Sequence, residues 1–197
     1  MLLGGKCSNC SAPISLRYPV IELITGLMTL ALAWFFDLSP ALLGAALLTW
    51  SLIALTMIDI DHQLLPDDIT LPLLWVGLCA AALGLSGTAL SDALWGSVAG
   101  YLSLWMVYWA FKLATGKEGM GYGDFKLFAA LGAWFGWQAL IPIILMASVI
   151  GAVIGIALKV FSQLREGGYV PFGPFLALAG LTAMIFGPSS ILAAIGL

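Results

Sequence analysis

Apolar residues form seven long runs along the chain, separated by short polar segments. The runs cover residues 19–36, 40–58, 69–86, 93–112, 125–137, 139–161 and 172–196. Several approach the ~20 residues that an α-helix needs to cross a bilayer, while the run at 125–137 is shorter. Because a backbone in lipid must satisfy its own hydrogen bonds, the pattern predicts an all-α integral membrane protein with about seven transmembrane helices.

Composition supports the membrane assignment. Of the 197 residues, 62% are hydrophobic and 9% are charged, whereas a soluble domain carries about 25% charged residues. Eight Trp and five Tyr residues suit the aromatic belts at the two interfaces of a bilayer. The net charge is −3 and no basic stripe is present, so we expect the lipid bilayer, and no nucleic acid, as a partner.

The basic residues predict how the helices are oriented. If residues 1–18 face the cytoplasm and seven spans follow, the cytoplasmic segments are 1–18, 59–68, 113–124 and 162–171. The positive-inside rule favours this orientation, because all seven basic residues lie in these segments or at the adjoining helix ends. They are Lys6, Arg17, Lys112, Lys117, Lys126, Lys159 and Arg165.

Two aspartates lie where an apolar run meets a cytoplasmic segment. Asp59 follows "LTMI", and Asp124 precedes "FKLFAALGAWFGW". A carboxylate costs on the order of 3 kcal/mol at the centre of a membrane helix and less near its ends. Asp124 could simply be a carboxylate at a helix N-terminus, where the positive end of the helix dipole stabilises its charge. Two neighbouring carboxylates can instead share a proton, as in aspartic proteases; the sequence does not show whether these two meet.

Glycines alternate ahead of the second aspartate, at Gly119, Gly121 and Gly123. Glycine permits a positive φ and the close approach of another backbone. We therefore predict a place beside Asp124 where a peptide backbone can lie against the protein.

Three nearby charged residues are candidates for supporting roles. Asp61 lies about 200° from Asp59 if the helix continues, so the two do not share a face. Asp67 follows Pro66 and could cap the next helix. Lys126 could pair with Asp124 or another nearby carboxylate, or simply obey the positive-inside rule.

Two motifs together resemble a known family. The stretch "MIDIDHQLLPDDITLP", followed about 65 residues later by "GMGYGDFKLFAALGAWFGW", resembles the type IV prepilin peptidases, which are membrane aspartic proteases of the GxGD type. The stretches "GGKCSNCSAPISLRYPVIELITG" and "PFGPFLALAG" extend the resemblance over nearly the whole chain.

The resemblance implies a reaction and a location. Asp59 and Asp124 match the catalytic aspartates, and proteolysis needs no cofactor. The expected substrates are type IV prepilins and type II secretion pseudopilins, cut on the cytoplasmic face of the bacterial inner membrane. We expect a second set of residues to bind substrate or support the site: Gly121, Gly123, Asp61, Asp67, Lys126 and Glu22.

The N-terminal segment departs from the family pattern. The family has a further helix and two CxxC pairs, which make a tetrathiolate site suited to zinc. This sequence is expected to lack that helix and the first pair, since residues 1–18 hold one CxxC, Cys7 and Cys10, ahead of a membrane domain at 19–197. The resemblance therefore implies the peptidase activity. It leaves open whether the chain binds zinc and whether it N-methylates the product with S-adenosylmethionine. Glu22 matches a family glutamate near this loop, or is a helix-start carboxylate.

Two other functions fit parts of the sequence. A proton-coupled membrane transporter could use Asp59 and Asp124 as carriers, but no internal repeat of the kind common in transporters is visible. "MGYGD" resembles a potassium-channel filter, but the charged stretch "TGKEGM" precedes it instead of a pore helix.

Overall fold

Helices account for nearly all of the regular structure. The computed structural model describes residues 5–7, 9–10, 12–161 and 170–194. The prediction of an all-α fold is confirmed, and a short 3₁₀ helix, Trp137–Ala139, leads into α6. The α-helices of the described part are α1 Arg17–Phe36, α2 Pro40–His62, α3 Asp67–Ala82, α4 Leu90–Thr115, α5 Tyr122–Phe135, α6 Leu140–Val160, α7 Gly173–Phe186 and α8 Pro188–Ala194.

Three helical stretches of the described residues are long and apolar enough to cross a membrane by themselves. They are α1, α2 and the continuous stretch Trp137–Val160. Each of the first six apolar runs contains one α-helix, as predicted. Of the basic residues used to orient the helices, Arg165 lies outside the described part of the chain.

The seventh apolar run, 172–196, is not one helix. Helix α7 ends before Gly187, whose φ of 80° interrupts the helical backbone. Pro188 then begins α8. Glycine with positive φ just after a helix and proline at the start of the next are the usual residues at such a break. The run that predicts the seventh span is therefore divided between two helices.

The short helix α5 lies at the centre of the bundle. Ten of its residues, Asp124, Phe125 and Leu127 to Trp134, are buried. A helix that is apolar on all sides is buried on all sides, and α5 packs against α3, α4 and α7. Its 14 residues extend about 21 Å, which is less than the ~30 Å thickness of a bilayer's hydrocarbon core.

Glycines allow α4 and α5 to pack backbone against backbone. A Cβ added at Gly96 or Gly132 would overlap the main chain of the other residue. One turn further along α4, a Cβ at Gly100 would lie 2.8 Å from the carbonyl oxygen of Phe128. The spacing of Gly96 and Gly100 is that of the GxxxG pairs that bring membrane helices together.

We expect Gly132→Ala to destabilise the bundle, because the added methyl group meets backbone that cannot move aside. Overpacking of this kind typically costs ~1–3 kcal/mol, and occasionally more. The loss is measured as a lower unfolding temperature in detergent. The matched control is Gly26→Ala in α1, where an added Cβ meets nothing within 4 Å. Equal stability of the two variants would contradict this packing.

Candidate active site

The end of α2 holds Asp59 in a buried position. The helix stops at His62, and Gln63 adopts a left-handed conformation with φ of 53°, donating its N–H to the carbonyl oxygen of Asp59 at 2.9 Å. The Asp59 residue is 5% exposed. Its Oδ2 accepts a hydrogen bond of 2.9 Å from the backbone N–H of Gly173, the first residue of α7. The N-terminus of α7 thus stabilises this carboxylate.

The start of α5 holds Asp124. Gly121 is the N-cap of α5 and Asp124 stands three residues later, in the arrangement of a capping box. The Gly121 N–H donates to Asp124 Oδ2 at 3.1 Å. Asp124 is 6% exposed, and its Oδ1 has no hydrogen-bond partner in the part of the chain that the structure describes. One buried oxygen of this carboxylate therefore remains available to a ligand or a proton.

One cavity of about 470 Å³ is lined by both aspartates. One wall is formed by the end of α2 and the segment between α2 and α3. A second wall is formed by the loop before α5 and the first turn of α5, and a third by residues 170–172. The fold thus brings to one place two carboxylates that lie far apart in sequence. The charged lining residues are Asp59, Asp67, Glu118, Asp124 and Lys126.

The alternating glycines allow close packing within the chain at the edge of the cavity. None of the three has a positive φ. A Cβ at Gly123 would lie 2.6 Å from Leu65 Cβ, and one at Gly119 would lie 3.0 Å from the Phe111 ring. On the side where a Cβ would lie, the chain itself therefore fills the space at these two glycines. At Gly121 an added Cβ would lie 3.5 Å from Asp124 Oδ2 and 4.0 Å from the backbone nitrogen of Gly123, which are ordinary contact distances. All three glycines nevertheless line the cavity, and a substrate backbone lying against them stays a prediction.

Asp61 lies away from the cavity. It is exposed and forms an ion pair of 2.7 Å with Arg17 at the start of α1. Asp59, two residues earlier on the same helix, is buried. The prediction that these two carboxylates occupy different faces of α2 is confirmed.

Asp67 lies at the cavity, but it does not cap α3. Pro66 occupies the N-cap position and no side chain caps the helix. Both oxygens of Asp67 instead accept hydrogen bonds from Lys126 Nζ, at 2.6 and 2.7 Å. The capping prediction is wrong because Lys126 binds this carboxylate. The prediction that Lys126 pairs with a carboxylate is confirmed, and that carboxylate is Asp67.

We expect Lys126→Met to lower stability only slightly. The side chains of Lys126 and Asp67 are 24% and 53% exposed, and solvent-screened ion pairs contribute roughly 0.2–1 kcal/mol. The unfolding temperature in detergent measures the effect, with Lys117→Met, an exposed lysine nearby, as the control. A loss as large as that of Gly132→Ala would show that the Lys126–Asp67 pair is a major element of the fold.

Glu22 is not brought to the cavity. It is exposed on α1 and does not line the cavity. Helix α1 begins at Arg17 and has no acidic residue in its first turn. The interpretation of Glu22 as a helix-start carboxylate is therefore wrong.

Backbone contacts join residues 5–7 to residues 12–14, on the two sides of the CxxC segment. Lys6 pairs with Pro13 in a β-bridge, and the Cys7 N–H donates to the Ala12 carbonyl at 2.9 Å. Backbone hydrogen bonds from Cys10 and Asn9 lower the pKa of the Cys7 thiol, which favours the thiolate that metals bind. Cys7 and Cys10 could supply two ligands of a tetrahedral zinc site. The described residues contain no group of three or more His, Cys, Asp or Glu residues suited to a metal.

Gly173 is a site residue that the sequence analysis did not identify. A Cβ there would lie 2.6 Å from Asp59 Oδ2, so only glycine allows this backbone to approach the carboxylate closely. The sequence contained a signal, because Pro174 follows at the start of α7. Proline at a first helical position predicts a helix N-terminus, and the free N–H groups there bind anions.

The fold and the site define a polytopic helical membrane protein with two buried carboxylates facing one cavity. Residues 46–156 match the model of the type IV leader peptidase family, and residues 1–36 match the bacterial peptidase A24 N-terminal domain. The chain belongs to the type IV leader peptidase family.

Several curated relatives are similar to nearly all of the chain. Proteins named "Prepilin leader peptidase/N-methyltransferase" are 56% identical in Stutzerimonas stutzeri and 54% identical in Pseudomonas aeruginosa and Aeromonas hydrophila. Each alignment covers 95% of this chain and 64% of the relative. The chain therefore spans less than two thirds of the length of these relatives. No solved structure matches it.

Proposed function

We propose that the chain is a membrane aspartic endopeptidase that removes the leader peptide from type IV prepilins and type II secretion pseudopilins. The observation that carries the proposal is the single cavity lined by Asp59 and Asp124, both of which are buried. The printed names of the relatives support prepilins as the substrate class. Family membership favours this activity over the proton-coupled transporter and the channel.

Each aspartate is oriented by a backbone amide. Gly173 N–H holds Asp59 Oδ2, and Gly121 N–H holds Asp124 Oδ2. Both contacts position the carboxylates without using another ionisable group. Two such groups at one site titrate as a pair and share one proton, because neighbouring carboxylates do not both ionise readily.

The proposed reaction uses the pair as acid and base. The ionised carboxylate takes a proton from a water molecule, whose oxygen attacks the carbonyl carbon of the scissile peptide bond. The protonated carboxylate donates its proton to the carbonyl oxygen. The tetrahedral intermediate then collapses and the C–N bond breaks. The leaving amine takes the proton that the first carboxylate received from water, and a hydroxyl of the intermediate returns a proton to the second carboxylate, which restores the pair. Such acid–base assistance contributes roughly 10²–10⁴-fold to the rate.

We place the protein in the bacterial inner membrane with the cavity facing the cytoplasm. Lys126 lines the cavity, and Lys112 lies in the last turn of α4, just before the loop that forms one wall. The opposite helix ends carry Asp37 and Asp92. Basic residues at the cavity end support a cytoplasmic orientation by the positive-inside rule.

N-methylation is a separate activity in the names of the relatives. The cavity described above supports the peptidase reaction, and we assign none of its residues to methyl transfer from S-adenosylmethionine.

The experiment is cleavage of a full-length prepilin by the purified chain in detergent, with the products identified by mass spectrometry. We expect a single cut that releases the leader peptide. Absence of cleavage by folded protein would overturn the proposal. Proton-coupled uptake by the same protein in liposomes would then support the transporter.

A further inference from the structure

The loop between α4 and α5 determines the shape of the cavity on one side. Residues 118–124 line the cavity without a gap. The loop begins at Gly116, which ends α4 with φ of 70°, and it continues to Gly121, the N-cap of α5. Because Gly121 donates its N–H to Asp124 Oδ2, the position of this loop also fixes one oxygen of Asp124.

An ion pair connects the loop to α4. Lys112 Nζ binds Glu118 Oε1 at 2.7 Å and the hydroxyl oxygen of Tyr108 at 3.1 Å. Hydrogen bonds with Lys112 and then Tyr108 lower the pKa of Glu118, so its carboxylate is ionised at neutral pH. Lys112 Nζ also lies 5.4 Å from the ring centroids of Tyr108 and of Trp109, within the range of cation–π attraction.

The same tyrosine contacts the first turn of α5. Tyr108 is 3% exposed, and its ring centroid lies 5.2 Å from that of Tyr122 and 5.6 Å from that of Phe125. These two residues flank the Gly123–Asp124 pair. Helix α4 therefore contacts the chain on both sides of Gly121. The Lys112–Glu118 pair lies before Gly121 in sequence, and the aromatic contacts of Tyr108 lie after it.

We infer that Lys112 and Glu118 are positioning residues, which hold the 116–121 loop as a wall of the cavity and keep the Gly121 N–H directed at Asp124. The kinetic part of this inference rests on the proposed function. Neither side chain is assigned a step in peptide hydrolysis. A different ion pair of the same length, Arg17–Asp61 at 2.7 Å, lies away from the cavity. It provides a matched control, because breaking it removes a comparable ion pair without touching the loop.

The first measurement is amide hydrogen exchange in Glu118→Gln, Lys112→Met and the control Arg17→Gln. We expect exchange at the Gly121 amide to be about tenfold faster in the first two variants, because a loosened loop opens the cap more often. Exchange at the Gly173 amide should not change in any of the three. Glu118 is 64% exposed, so its replacement by glutamine leaves the packing of the bundle intact.

The second measurement separates kcat from KM in prepilin cleavage. We expect kcat to fall about tenfold in Glu118→Gln and Lys112→Met with a smaller change in KM, since small displacements of reacting groups slow catalysis. Arg17→Gln should match the native chain. Lys112→Arg should retain most of the activity, because arginine keeps both the charge and the aromatic contact.

The outcomes distinguish this inference from the proposed function. Unchanged Gly121 exchange in Glu118→Gln and Lys112→Met overturns the positioning role, and so does faster exchange with an unchanged kcat. If the native chain cleaves no prepilin, the proposed function fails. The rate of hydrogen exchange at the Gly121 amide then decides by itself whether the ion pair holds this amide in place. Faster exchange in the variants supports the positioning role, and equal exchange overturns it.

Discussion

Asparagine at position 59 or at position 124 is expected to abolish prepilin cleavage while leaving the protein folded. Each substitution removes a group that must gain or lose a proton in the proposed reaction, and the loss should be roughly 10³-fold or more. Asparagine has the shape of aspartate, and its amide oxygen can still accept the N–H of Gly173 or Gly121. Initial rates on a purified prepilin, compared at equal amounts of folded enzyme, measure the effect.

The matched control for both substitutions is Asp68→Asn. Asp68 is an exposed carboxylate in the first turn of α3 and does not line the cavity. It should therefore be replaced without loss of rate. Retention of more than about a tenth of the native rate by Asp59→Asn or Asp124→Asn would contradict the pairing. Asp67, which does line the cavity, would then be the next carboxylate to test.

Gly173→Ala is expected to reduce cleavage about 100-fold by displacing Asp59 from its amide donor. The new Cβ would lie 2.6 Å from Asp59 Oδ2 and 3.1 Å from Leu65 Cδ2. The carboxylate is the movable partner of these contacts, so it must rotate away from the Gly173 N–H or be pushed into the cavity. Either change misplaces one member of the proposed acid–base pair. Prepilin cleavage rates and the unfolding temperature, measured together, separate loss of activity from loss of folding.

Gly155→Ala provides the comparison for Gly173→Ala. Gly155 lies in α6, and a Cβ there would meet only Val170 Cγ2, at the ordinary contact distance of 3.9 Å. We expect this variant to cleave at the native rate. If Gly173→Ala cleaved equally well, the hydrogen bond between Gly173 and Asp59 would have no role in the reaction.

Much of the architecture is predictable because its causes are local. Each apolar run predicts a helix from its own composition, and the burial of α5 agrees with a run too short to face lipid. The separate faces of Asp59 and Asp61 follow from helical geometry alone. The position of both candidate aspartates at one end of the bundle also follows from helix count and loop charge.

The contacts that build the site depend on segments far apart in the chain. The bond between Lys126 and Asp67 spans 59 residues, and that between Gly173 and Asp59 spans 114 residues. A single sequence does not show which residues so far apart in the chain lie close together in space. The glycines illustrate the limit: a glycine indicates that something approaches closely, but the sequence does not show that one such group at Gly123 is Leu65 of the same chain.

Gly173, which donates its N–H to Asp59, lies late in the chain, and its position bears on when the proposed activity can arise during synthesis. The ribosome completes α2 and α5, which carry the two aspartates, before it reaches Gly173. A nascent chain inserted only as far as α6 has both carboxylates but lacks the amide that orients Asp59. Competence for proteolysis should therefore arise late in biogenesis, when α7 docks against the end of α2. Under the proposed function, the growing polypeptide would therefore not cut prepilins before this step.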